Sequence, residues 1–167
     1  MGNRWLRLWH HLLTDHADVR RAFPAAVMER IEAAVAEGER THAAEIRLAV
    51  EASLPPVRVL AGLPTRDRAL EVFGVLRVWD TEDNNGVLVY LLMADHAVEI
   101  VADRAATQAI GPETWQAIAA ELSAAYREGR FEAGTLAAIG RLNRLLAQAF
   151  PAGARNPDEL PNRPVVL

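Results

Sequence analysis

Hydrophobic positions along the chain change period several times, and each change marks an element. Trp5, Leu8, Trp9 and Leu12 recur at helical spacing, with Arg4, Arg7 and His11 on other sides, so Met1–Leu13 reads as an amphipathic helix; with part of the polar connection that follows, Thr14–Arg21, it makes an N-terminal helical extension over residues 1–20. Phe23-Pro24 opens a second helix, because proline is pre-set for a first helical turn; Val27, Met28, Ile31, Ala34 and Val35 carry it to about residue 42. In Glu45–Glu51 the pattern switches to alternation: Ile46, Leu48 and Val50 against Glu45, Arg47, Ala49 and Glu51. That is a strand with one strongly buried face. Pro55-Pro56 and Gly62-Leu63-Pro64 bound a loop ending at Thr65, the expected N-cap of a helix through Ala69, Val72, Phe73, Leu76 and Trp79.

Beyond the turn-rich run Asp80–Gly86, residues Val87–Met93 are apolar without a break. Only a strand buried on both faces needs such a run, which places 86–93 at the centre of the sheet. Ala94-Asp95-His96 reads as a hairpin turn into a more exposed strand, Val98–Asp103. Gly111-Pro112 opens a helix with Trp115, Ile118, Leu122 and Tyr126 on one face, and Phe131–Phe150 forms a last helix in which Gly134 and Gly140 permit close approach. This order predicts one α/β domain over residues 21–151. Its first two strands are parallel through a right-handed crossover, its third is antiparallel, and helices cover both faces of the mixed sheet. The tail, 152–167, is rich in proline and asparagine, has no period, and is expected to be loosely ordered.

Composition narrows the chemistry. The 167 residues contain no cysteine, which excludes disulfides and cysteine-ligated metals. All basic residues are arginine, so lysine-based chemistry is absent, and 22 acidic against 18 basic side chains leave no footprint for nucleic acid. No apolar run is long enough for an integral membrane segment or a signal-peptide core, so the expected location is cytoplasmic. No GxGxxG, GxxxxGK[ST], GxSxG or HExxH string occurs, and the serines, Ser53 and Ser123, do not sit on a nucleophile elbow. Asp80–Gly86 imitates a calcium loop but has Asn85 where the sixth-position glycine belongs and Leu91 where the glutamate belongs. His10, His11 and His16 do not converge on one ion, because adjacent helical residues point about 100° apart.

What remains is a gathering of acids. With the strand directions above, Glu45, Asn85 and Asp103 fall at one end of the sheet, fed by the loop carrying Asp80, Glu82, Asp83 and Asn84. Such oxygen donors suit a hard cation, Ca²⁺ or Mg²⁺. Crowded carboxylates also raise one another's pKa and suit general acid work. The plainer alternative is that they cap helices and stop strands. Arg104 beside Asp103 can clamp an anion or form a surface ion pair.

The series helix, EIRLAVE, helix, Asn85-Gly86-Val87-Leu88, Asp95, Glu99-Ile100-Val101 resembles the TPM domain family over about Phe23 to Phe150. Leu12-Leu13-Thr14 and Arg20-Arg21-Ala22-Phe23-Pro24 resemble a subgroup of soluble bacterial members. The resemblance implies a three-layer α/β/α sandwich, Rossmann-like in appearance but without a dinucleotide fingerprint. It also implies divalent-cation binding, acid phosphatase activity and roles in maintaining membrane complexes. His96 stands where the family often has arginine. Ala105 stands where it often has glycine, which weakens the case for catalysis by close backbone approach. The resulting expectation is a cation held by Glu45, Asp83, Asn84, Asn85 and Asp103, with Asp83 or Asp103 as catalytic residue in phosphomonoester hydrolysis. Its competitor is a non-catalytic module whose N-terminal helix contacts a protein partner or forms a homodimer.

Overall fold

The computed structural model describes residues 2–153 and 156–167, and of residues 2 and 3 only the backbone; Met1 of the expected N-terminal extension and residues 154 and 155 of the expected tail lie outside the described residues. The order is α1 (Gly2–Leu13), α2 (His16–Ala22), α3 (Ala25–Glu39), β1 (Ile46–Glu51), α4 (Pro56–Leu60), α5 (Thr65–Val75) and β2 (Val87–Leu92). A short 3-10 turn (Met93–Asp95) leads to β3 (Ala97–Ala102), α6 (Arg104–Ile110), α7 (Pro112–Arg127), α8 (Phe131–Ala149) and β4 (Val165–Val166). In the sheet order β3-β2-β1-β4, β1 is parallel to β2 and to β4, and β3 is antiparallel to β2.

The alternation of side chains across the strands sorts the core into two layers. Val87, Val89 and Leu91 join Ile46, Leu48 and Val50 beneath α3, α7 and α8. Leu88, Tyr90 and Leu92 join Ala49 beneath α1, α4 and α5. This is the expected α/β/α sandwich, with 87–92 buried on both faces.

Four expectations are corrected. The polar connection Thr14–Arg21 is mostly helix α2, started by a capping box in which Asp15 accepts from the Asp18 amide and Asp18 from the Asp15 amide. A further helix, α6, follows β3 and is capped by Asp103. Thr65 is the first helical residue, and Pro64 holds the N-cap position. The tail is not loose throughout: it crosses back as β4 beside β1, buries Leu160, and lies over Arg47 on the more polar face of that strand. Arg47 is buried there because its Nη1 donates to the carbonyls of Pro161 and, at 3.0 Å, Arg163. Every residue of β1 is consequently buried.

The exposed edge of the sheet, β3, is blunted by side chains. Ser123 donates to the His96 carbonyl, Arg66 to that of Ile100 and Thr107 to that of Ala102, occupying acceptors that a passing strand would otherwise pair with.

Gly86, at the start of β2, has a packing reason: a Cβ there would lie 2.0 Å from the Val78 carbonyl oxygen, which is backbone and cannot swing aside. Gly86→Ala is expected to cost about 2–3 kcal/mol through forced backbone displacement. Urea denaturation checks it, and a loss under about 0.5 kcal/mol would show that the turn simply shifts.

Candidate metal centre

Helix α3 ends at Glu39, five residues run to Glu45, and β1 begins at Ile46, so two carboxylates flank one tight connection. The Ile46 amide donates to Glu39 Oε1 at 2.9 Å, turning that side chain inward to a residue exposure of 8%. Glu45 is 3% exposed and sits under the tail; its two carboxylate oxygens accept from the amides of Glu159, at 3.2 Å, and Leu160, at 3.1 Å. Asn156 holds the same tail against α3 by donating to the carbonyls of Glu39, at 2.6 Å, and His42, at 3.0 Å.

These bonds bring Asp158 over the connection. Oxygens of Glu39, Glu45 and Asp158 lie within 4.8 Å of one another. They line a cavity of about 460 Å³ together with Arg40, Asn156 and Asn162. Two buried oxygens in its wall, Glu39 Oε2 and Asn162 Oδ1, have no hydrogen-bond partner. A buried acceptor without a donor is costly, and with the carboxylates of Glu45 and Asp158 beside Glu39 the pocket is rich in acceptors, while Arg40, which also lines it, is paired with Glu37. Glu39 also lies at the C-terminal end of α3, where the helix dipole further disfavours an anion.

The electrostatics follow. Burial pushes the Glu39 carboxyl up to about 8, with Glu45 and Asp158 adding to the rise against the opposing Ile46 hydrogen bond. Burial raises Glu45 as well, countered by the two tail amides. Without a counter-ion Glu39 holds a proton at neutral pH; with a divalent cation the cluster offers hard oxygen donors of the kind calcium and magnesium take.

Of the five residues expected to hold a cation, Glu45 alone belongs to this cluster. The backbone alignment is as predicted, since the Val87 amide donates to the Glu45 carbonyl and the Asp103 amide to the Gly86 carbonyl. The side chains diverge from there. Asp83 is exposed, and Asn84 takes a left-handed φ of 53° while its carbonyl accepts from Ala105. Asn85 donates through Nδ2 to the Ala43 carbonyl at 2.9 Å, tying the loop to the segment before β1. Asp103 accepts from the Arg104 amide at 2.7 Å as the cap of α6. Glu39, Asp158 and Asn162, which line the cavity with Glu45, were not among the expected residues. For the two in the tail the sequence signal was the density of oxygen-bearing side chains in Asn156-Pro157-Asp158-Glu159-Leu160-Pro161-Asn162.

Two of the histidines, His11 and His42, serve structure. His11 accepts at Nδ1 from the Leu54 amide, at 2.9 Å, and donates through Nε2 to Asp95, at 3.0 Å; Arg7 holds the same carboxylate with Nε and Nη2. Burial of Asp95 works against its ionisation, but the bonds from His11 and Arg7 outweigh it and hold the carboxyl well below the usual range. The family-like aspartate of the hairpin is therefore the anchor of α1. His42 is buried between the Ala44 carbonyl and Asn143 Oδ1, and burial lowers its pKa.

No curated protein matches the sequence. Among solved structures, the NMR structure of the BA42 protein from the psychrophilic bacterium Bizionia argentinensis superposes with a TM-score of 0.76 at 26% identity, over 87% of this chain and 95% of that one. No helix among the described residues is long and apolar enough to cross a membrane. The TPM domain profile matches residues 15–145, most of the sandwich built above, and the chain belongs to the TPM domain family.

Proposed function

We propose that this TPM domain binds a divalent cation, calcium in preference to magnesium, between the α3–β1 connection and the C-terminal tail. The carrying observation is the convergence of oxygens from Glu39, Glu45 and Asp158, within 4.8 Å of one another, on the wall of a cavity that Asn162 also lines. Irregular sets of carboxylate and amide oxygens suit the flexible coordination of calcium better than the strict octahedron of magnesium. The cation neutralises the cluster and ties the tail to the sandwich, making the domain a cation-responsive module. Phosphomonoester hydrolysis, implied by family resemblance, has less behind it: Asp83 and Asp103 stand apart from the acidic cluster, one exposed and the other capping α6.

Calorimetric titration of the full chain with calcium tests the proposal. Binding near one ion per chain is expected, with Glu45→Gln weakening it at least tenfold, about 1.4 kcal/mol. Absence of heat and of thermal stabilisation at millimolar calcium would overturn it. A parallel assay on p-nitrophenyl phosphate, with and without chelator, reads hydrolysis separately, and turnover lost in Asp103→Ala would restore the catalytic expectation.

A further inference from the structure

Helix α1 turns its apolar stripe away from the body. Leu8 and His11 point inward and are buried, and Arg7 reaches from the same side to Asp95. Residues three and four apart share a helix face, so this inward line leaves Trp5, Leu6, Trp9, Leu12 and Leu13 on the far side. They are 61%, 56%, 59%, 55% and 73% exposed. At about 100° per residue they form a stripe roughly 120° wide, centred on Trp9. The helix cannot roll to hide them, because Arg7 and His11 are both fixed to Asp95. Helix α4, packed beside α1, exposes Val57 and Leu60 as well.

We propose that this stripe is the contact of a symmetric homodimer, its occupant being α1 of a second copy. The exposed parts of two tryptophans and three leucines come to roughly 600 Å², at the upper limit for a monomer's largest patch and close to the ~800 Å² per partner of a standard interface. Trp9 lies at the middle of the stripe both along and around the helix. A two-fold axis there sets the helices antiparallel and makes the contact self-complementary. No charge interrupts the stripe: α1 has no acidic residue, and Arg4 lies on the body side, its guanidinium against Gly62, so nothing on this face opposes the approach of an identical helix. A lipid surface fits less well. The chain carries a net charge of −4, and Arg7 is already committed to Asp95.

Sedimentation equilibrium of the full chain over a wide concentration range tests the dimer, and the expected mass is twice 18.3 kDa. Trp9→Glu sets two carboxylates against each other at the axis and is expected to raise the dissociation constant at least ~100-fold. Far-UV circular dichroism checks that this exposed substitution leaves the fold intact. Val75→Glu, at an exposed valine on α5, is the control and leaves the mass unchanged. A mass of 18.3 kDa throughout, or a dimer indifferent to Trp9→Glu, overturns the proposal. So does co-sedimentation of monomeric protein with phosphatidylcholine–phosphatidylserine vesicles, which would assign the stripe to lipid.

Discussion

Glu51→Ala is expected to cost about 3–5 kcal/mol, a severe loss for one substitution, because it takes the shared carboxylate from a partly buried arginine and a fully buried phenol together. Glu51 ends β1 and is buried; Arg68 of α5 holds its carboxylate with two bonds, Nε and Nη2, each 2.9 Å. Tyr90 of β2 donates its hydroxyl to the same carboxylate, and Arg68 continues to Glu71, which also pairs with Arg58 of α4. One carboxylate thus ties α5 to two central strands. Burial and the neighbouring Glu51 carboxylate push the Tyr90 hydroxyl well above its ordinary range, so the phenol stays a donor. Removing the acceptor leaves the buried phenol unpaired and the partly buried guanidinium with only the more exposed Glu71 as counter-charge. For a domain of this size the loss corresponds to roughly 8–15 °C in Tm. The double variant Glu51→Leu/Arg68→Met is expected to recover most of it, since two apolar side chains need no partner. Calorimetric melting of the three proteins is the check. A single-variant loss under about 1 kcal/mol would show that water already reaches the pair.

How much of this was legible in the sequence depended on the length of each pattern. Val87–Met93 announced a central strand, and the connections on either side gave the parallel and antiparallel directions. A two-residue strand has no period, so β4 left no mark, and neither did its consequence, the burial of Arg47 beneath the tail. Read as alternation, Arg47 and Glu51 looked solvent-facing; in the fold each is buried because a specific acceptor or donor meets it. The amphipathic period of α1 was legible, but which side would dock was not. Docking is carried by Leu8 and by two polar side chains, Arg7 and His11, while the tryptophans face out. The expected cation residues share only Glu45 with the acidic cluster of the fold for a related reason. Strand direction fixes which backbone ends meet, and Glu45, Gly86 and Asp103 do meet, but side-chain direction at those ends depends on single residues that no spacing reveals.

Glu39 supplies a pH dependence of definite sign. In the unfolded chain its carboxyl titrates near 4.5, and in the folded, metal-free domain it is pushed up to about 8. Between those values the folded state holds a proton that the unfolded state has released, so raising the pH favours unfolding. The contribution is fully present below pH 4.5 and is lost progressively up to about pH 8, an effect on the order of a few kcal/mol in chelator. Glu39→Gln keeps the shape, removes the titration and is expected to stabilise the metal-free domain at pH 8. Calcium reverses the order of the two proteins. It takes the place of the proton on wild-type Glu39, so its stabilisation grows with pH and binding at pH 6 releases a proton, seen as a heat that depends on the ionisation enthalpy of the buffer. In Glu39→Gln that gain is largely lost and the proton release disappears. Subtracting the melting profiles of the two proteins from pH 5 to 8, in chelator and in calcium, isolates Glu39 from every other titrating group. A flat difference in chelator would place the Glu39 carboxylate in contact with water, and with it would go the reason for a cation at this connection.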